Sequence, residues 1–175
     1  VIRRLGFSRK RTYARAPDTE RIVEARQAFC NQYRQLDPAS VISVDETCLY
    51  FHSRHRNGYA PRGKRLHVPL HAGRHDKYTL LLAVSNAQVI GWQLLRGSAN
   101  SQSFASFVSS LHPGAQHKHM LMDNVAFHKC KVVAAALSQQ GLQPLFSPPY
   151  SPEYNPVEMA WHHLSSLDCN GQPGR

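Results

Sequence analysis

The sequence predicts an α/β domain: a mixed five-stranded sheet flanked by helices, behind an N-terminal basic arm and helix. Three observations carry that expectation. Strand-like apolar runs cluster first and then alternate with segments of helical period, as a mixed sheet with helices on its faces requires. The 175 residues are enough to bury one sizeable core. The apolar content of 42% is ordinary for a globular chain, and no apolar run is long enough to cross a bilayer.

The elements follow in order. Residues 1–16 carry Arg3, Arg4, Arg9, Lys10, Arg11 and Arg15 and no acid, which suits an arm along a phosphate backbone. They also lack the apolar segment of a signal peptide. Residues 18–36 predict a helix: Asp18 is a good N-cap, and Ile22, Ala25, Phe29, Tyr33 and Leu36 recur at spacings of three and four. Asp37-Pro38 ends it. Val41–Asp45, Leu49–His52, Tyr78–Val84 and Val89–Leu95 read as strand sequence, rich in β-branched and apolar residues. Residues 53–77 hold seven Lys or Arg against the single acid Asp76 and read as a basic loop or hairpin extension. Residues 101–111 predict a helix capped by Asn100 or Ser101, with Phe104, Phe107, Val108 and Leu111 on one face. His119–Asp123 is the next strand. Residues 129–140 are the next helix, stopped by Gly141, and Leu142–Phe146 is the last strand.

Charge narrows the function. Twenty-one Lys plus Arg against eleven Asp plus Glu give a formal +10, which favours a polyanionic partner, nucleic acid before an anionic membrane surface. The cysteines Cys30, Cys48, Cys130 and Cys169 form no close pair, so they fit free thiols in a reducing compartment rather than a zinc or redox motif.

Acids are few, and three stand at telling places. Asp45 and Asp123 each end an apolar strand, where neighbouring strands would set them side by side. An acid there is costly without a partner or a metal, although either residue alone also suits a turn cap. Glu158 lies in SPPYSPEYNPVEMAW, where prolines stiffen the approach to a helix. Asn155 as N-cap and Pro156 at the first helical position would put Glu158 third. That is the geometry of a capping box and equally of a carboxylate aimed by a rigid turn. Phosphodiester chemistry with two divalent ions about 3.5–4 Å apart needs such oxygen ligands on rigid elements.

A resemblance decides between these readings. VDET at 44–47, MDNVAFHK at 122–129 and SPPYSPEYNPVEMAW at 147–161 occur in that order. Together they resemble the transposases of the mariner superfamily, especially its bacterial insertion-sequence branch. GYAPRGKR at 58–65 is similar to the basic segment of that family's intervening hairpin. The 34 residues between Asp123 and Glu158, positions 124–157, match the family's commonest spacing. The resemblance implies a ribonuclease-H-like fold and an acidic triad of Asp45, Asp123 and Glu158 holding Mg2+ or Mn2+, two ions in all. It implies cleavage of a DNA strand at a transposon end, followed by attack of the freed 3′ hydroxyl on target DNA, often at a TA step. Double-stranded DNA and a second copy of the chain are the implied partners, with no membrane.

Asn124 and His128 match the second motif and, with Arg9, Lys10, Arg11, Arg62, Lys64 and Arg65, are expected at the DNA; His128 could contact a phosphate or order the site, and a hydrogen bond at the helix start is the competing reading. Glu46 should point away from Asp45 across the strand. Trp161 shares a helical face with Glu158 and reads as a core anchor, and Tyr150 and Tyr154 as packing for the proline turn. The expected parts are 1–38, a basic arm and linker helix left from an upstream DNA-binding region; 39–165, the catalytic domain; and 166–175, an irregular tail. The expected location is cytoplasm or nucleoid in a bacterium, or nucleus in a eukaryote. A non-catalytic DNA-binding remnant and a general metal-dependent nuclease of the same fold are the alternatives.

Overall fold

The computed structural model describes residues 19–50 and 77–166. Helix α1 (Glu20–Tyr33) precedes strands β1 (Val41–Tyr50), β2 (Lys77–Val84) and β3 (Val89–Arg96). Then follow α2 (Ser101–Ser110), β4 (His119–Met122), α3 (Lys131–Gln139), β5 (Gln143–Phe146) and α4 (Val157–Ser166). The strands form one sheet in the order β3-β2-β1-β4-β5. β1, β2 and β3 pair antiparallel, whereas β1/β4 and β4/β5 pair parallel. The two parallel steps are the ones that need a helical crossover, and α2 and α3 supply it.

Strand alternation gives the sheet two different faces. Ile42 and Val44 join Met120, Met122, Phe104, Phe107, Val108, Val133 and Leu137 in the main core under α2 and α3. Val41 faces the other way, with Leu121, Leu145 and Phe29 of α1 in a smaller cluster. Asp45 shares the parity of Val41, and Glu46 that of Val44, so the two acids leave β1 on opposite faces as expected.

Several elements differ from the expected ones. Leu49 does not open a second strand: β1 runs unbroken from Val41 to Tyr50, because its outer half pairs with β2 through Tyr50↔Lys77. Thr19, not Asp18, stands at the N-cap of α1 and makes no side-chain bond there, while Asp18 lies outside the described residues. α1 ends at Tyr33, and Leu36 packs from the turn beyond. The helix expected from residue 129 starts at Lys131. Before it comes a 3-10 turn, Ala126–Lys129, and Cys130 is extended at φ −77°, ψ 158°, which breaks the helical ladder. Asn100 caps α2 in a full capping box with Ser103. Gly141 follows α3 at φ 68°, a left-handed conformation that a Cβ disfavours. Pro144 is tolerated because β5 is an edge strand.

Candidate active site

The register of β1 and β4 brings the first two acids together. Ser43 pairs with Leu121, and Asp45 and Asp123 each lie two residues further along parallel neighbours. Both therefore stand side by side where β4 ends, with Asp45 midway along β1. Glu158 joins them from the first turn of α4. The three acids line one cavity of about 540 Å³, together with Asn124, Val125 and the proline turn from Ser147 to Pro152.

Each acid has a different setting. Asp45 is half-buried, and its Oδ2 accepts a hydrogen bond from Trp161 Nε1 at 3.0 Å. Desolvation pushes its carboxyl up to about 6, against the Glu46 backbone N–H and the Trp161 indole; the negative charges of Glu46 and Glu158 add to the rise. Asp123 is more open, with 43% of its side chain exposed, and its Oδ1 lies 2.8 Å from His128 Nδ1. The same Oδ1 accepts the Val125 N–H at 3.4 Å. Glu158 sits exposed at the rim, and partial desolvation raises its carboxyl too.

His128 is the hub between the two faces. It is buried, with Nδ1 toward Asp123 and Nε2 2.9 Å from Glu46 Oε1. Phe104 and Phe127 flank its ring at centroid distances of 4.3 and 4.2 Å. Burial alone would lower its pKa, but the bonds to Asp123 and Glu46 prevail and raise it to about 9. The imidazolium thus bridges two carboxylates. The expected phosphate contact at His128 is not what the structure gives: the ring is shielded from solvent and both nitrogens already face carboxylates.

The proline turn is braced by α1. Arg26 Nε donates to Ser151 Oγ at 2.8 Å, and its guanidinium lies 3.5 Å from Glu153. Tyr154 meets Phe29 edge-on. Asn155 does not close a capping box with Glu158. Its Nδ2 donates to the Val44 carbonyl at 3.4 Å, and its Oδ1 is buried without a hydrogen-bond partner. That contact ties the foot of α4 to β1 one residue from Asp45.

Sequence reasoning had no signal for Arg26, whose partner lies 125 residues away. For Trp161 it had the right helical face and the wrong role: the indole donates to a carboxylate. Asn124 lines the cavity. Arg9, Lys10, Arg11, Arg62, Lys64 and Arg65 lie outside the described residues.

An all-oxygen donor set on rigid elements suits a hard divalent cation. Among the described residues, however, no three His, Cys, Asp or Glu side chains already converge to hold one. The acids share a cavity in an open arrangement: Asp45 is occupied by the Trp161 indole and Asp123 by His128. A cation would offset the mutual repulsion and desolvation that raise Asp45.

The sequence matches the family model described as DDE superfamily endonuclease over residues 40–167. The chain belongs to that family. The match begins just before β1 and runs to the end of α4, so it spans the whole sheet and all three acids. No curated protein sequence matches the chain. Among solved structures, it is similar to the Mos1 strand transfer complex, with a TM-score of 0.69 at 20% identity over 99% of this chain and 55% of that one. It is likewise similar to the Mos1 transposase paired-end complex with left transposon end, with a TM-score of 0.68 at 19% identity over 98% of this chain and 56% of that one. A Mos1 mariner paired end complex with Mn gives a TM-score of 0.67 at 21% identity over 93% of this chain and 55% of that one. The fold of this DDE endonuclease is thus that of the Mos1 catalytic region, a ribonuclease-H-like mixed sheet. The chain spans little more than half the length of those transposases.

Proposed function

We propose that this DDE endonuclease domain is the catalytic domain of a DNA transposase, with Asp45, Asp123 and Glu158 as ligands of divalent Mg2+ or Mn2+, two ions in the working site. One observation carries this reading: three acids from β1, the end of β4 and α4, distant in sequence, line a single cavity. Similar Mos1 paired end complexes with Mn and with Mg support the choice of cation, and the one with the left transposon end supports DNA as partner. Bound there, the ions would activate the attacking oxygen and stabilise the leaving one.

The chain's own residues position the rest. Trp161 fixes Asp45, and His128 fixes Asp123. Asn155 and Arg26 hold the turn that aims Glu158. In strand cleavage a water oxygen bonds to phosphorus, the P–O3′ bond breaks, and the departing 3′ oxygen takes up a proton. In strand transfer the freed 3′ hydroxyl replaces water. The net charge of +10 supports phosphate contacts, which we assign to Arg9, Lys10, Arg11, Arg62, Lys64, Arg65 and Asn124. A homodimer acting on transposon ends and a target such as TA belongs to the same proposal. So do the boundaries at 38/39 and 165/166 and a location with the host's DNA.

The test is Mn2+- or Mg2+-dependent nicking of duplex DNA by wild type and Asp123→Asn. Cleavage by wild type, abolished in the variant, is expected. Equal cleavage by both refutes the ligand assignment. The open arrangement of the acids also suits a non-catalytic DNA-binding remnant, and salt-sensitive DNA binding without any metal-dependent cleavage would establish that alternative.

A further inference from the structure

Glu46 stands next to Asp45 in sequence but leaves β1 on the other face of the sheet, toward α2 and α3. Only 15% of its side chain is exposed, and a carboxylate buried to that degree is costly unless it is bonded. Its Oε1 meets His128 Nε2 at 2.9 Å, while the other ring nitrogen, Nδ1, meets Asp123 Oδ1 at 2.8 Å and the Asp123 carbonyl at 3.2 Å. Ionised carboxylates only accept hydrogen bonds, so the ring donates from both nitrogens. Phe104 and Phe127 close on the imidazole at 4.3 and 4.2 Å, which leaves it little room to turn. A chain of contacts therefore runs from one face of the sheet to a cavity acid on the other.

We propose that Glu46 is a positioning residue: by gripping His128 from the opposite face, it sets the orientation of the Asp123 carboxylate in the cavity. The inference rests on the reading of Asp123 as a cation ligand. It deepens that reading by assigning a residue that touches neither cation nor DNA. Bonds of this kind behind a ligand fix its orientation, and their loss typically lowers metal affinity about 10–100-fold.

The experiment titrates Mn2+ into the full chain and follows free Mn2+ by electron paramagnetic resonance, with no DNA present. Wild type, Glu46→Asp, Glu46→Gln and His128→Asn are compared, with melting temperature recorded for each. Glu46→Gln keeps an acceptor at the same reach and is expected to bind nearly as wild type. Glu46→Asp keeps the charge but falls short of Nε2, and its affinity is expected to drop about tenfold or more. If Glu46 acts through His128, adding Glu46→Asp to His128→Asn costs little further affinity. Equal affinity in Glu46→Asp and wild type overturns the positioning role alone. A wild type that binds no Mn2+ overturns the ligand reading and this inference with it. A second readout needs no substitution: two slowly exchanging ring N–H protons on His128 in the wild-type nuclear magnetic resonance spectrum. A single such proton overturns the bridge.

Discussion

Among the described residues, fifteen buried side chains from Ile42 to Leu142 interlock in one cluster on the α2/α3 side of the sheet. On the α1 side the buried cluster has four: Phe29, Val41, Leu121 and Leu145. The larger described core thus lies on the first face. The described part of the second carries a thinner apolar layer and polar contacts: Trp161 on Asp45, Arg26 on Ser151 and Asn155 on the Val44 carbonyl. Acids sited on the thinner face escape the full desolvation of the main core, yet they stand on strands which that core holds rigid. His128 works across both, with Glu46 on one side and Asp123 on the other.

The comparison breaks first at the aromatic cores. Phe107 is 1% exposed in the main cluster, and Phe107→Ala should cost about 3–5 kcal/mol in chemical denaturation. Phe29, 7% exposed on α1 and part of the smaller cluster, has neighbours freer to collapse, so Phe29→Ala should fall at or below about 3 kcal/mol. Phe29→Ala also removes the edge contact to Tyr154, so it should impair cleavage more than its stability loss explains. Equal costs at the two positions would dissolve the distinction between the faces.

Next comes pH. Burial lifts the Asp45 carboxyl to about 6, and two carboxylate partners lift the His128 imidazole to about 9. A group whose folded pKa is raised contributes stability that is complete below its unfolded pKa and is lost as pH climbs through the folded one. Stability should therefore decline in two windows, from about 4 to 6 as Asp45 ionises and from about 6.5 to 9 as His128 loses its proton. His128→Asn should erase the upper window and leave the lower. Melting temperatures measured across that range check it; a profile of His128→Asn that still falls between 6.5 and 9 assigns the upper window to another group.

The parts legible in sequence were those with local physical signatures. Apolar runs ending in acids marked Asp45 and Asp123, and the prolines marked the approach to Glu158, because strand burial and fixed φ both leave a trace within a few residues. Parity alone sent Glu46 to the other face. What it could not give was the far partner of that side chain, 82 residues away at His128, or the brace from Arg26 to Ser151. The capping box at Asn155 failed for a similar reason. The local pattern was right, but the side chain bonds instead to the Val44 carbonyl, 111 residues away. The helix expected at residue 129 begins late because His128 is first drawn inward and Cys130 is extended.

A smaller effect sharpens the difference between the two aspartates. Asp45 is held by a neutral donor and Asp123 by a charged one. Trp161→Phe removes the indole N–H, whose bond is worth about 1 kcal/mol, together with part of the ring. Since that bond lowers the Asp45 pKa, its loss should move the carboxyl further above about 6 and shift the acid limb of Mn2+ binding to higher pH. An unmoved limb would mean that a group other than Asp45 controls cation entry.

The smallest stability effect belongs to Tyr150. Its φ of 52° is the one positive value among the described non-glycine residues, and the left-handed region costs a bulky side chain about 1–2 kcal/mol. The side chain is 75% exposed at the lip of the acid-lined cavity, so it does not pack the turn as expected; Tyr154 does, against Phe29. Tyr150→Gly relieves the strain but loosens the unfolded chain, so the net gain should be under about 1 kcal/mol. If the exposed ring stacks on a nucleotide, the same variant should weaken single-stranded DNA binding by about 1–3 kcal/mol. Fluorescence anisotropy with a short oligonucleotide separates the two effects. Greater stability with undiminished affinity would make Tyr150 a strained turn residue and nothing more, whereas greater stability with weaker binding would show that the strain is kept for contact with DNA.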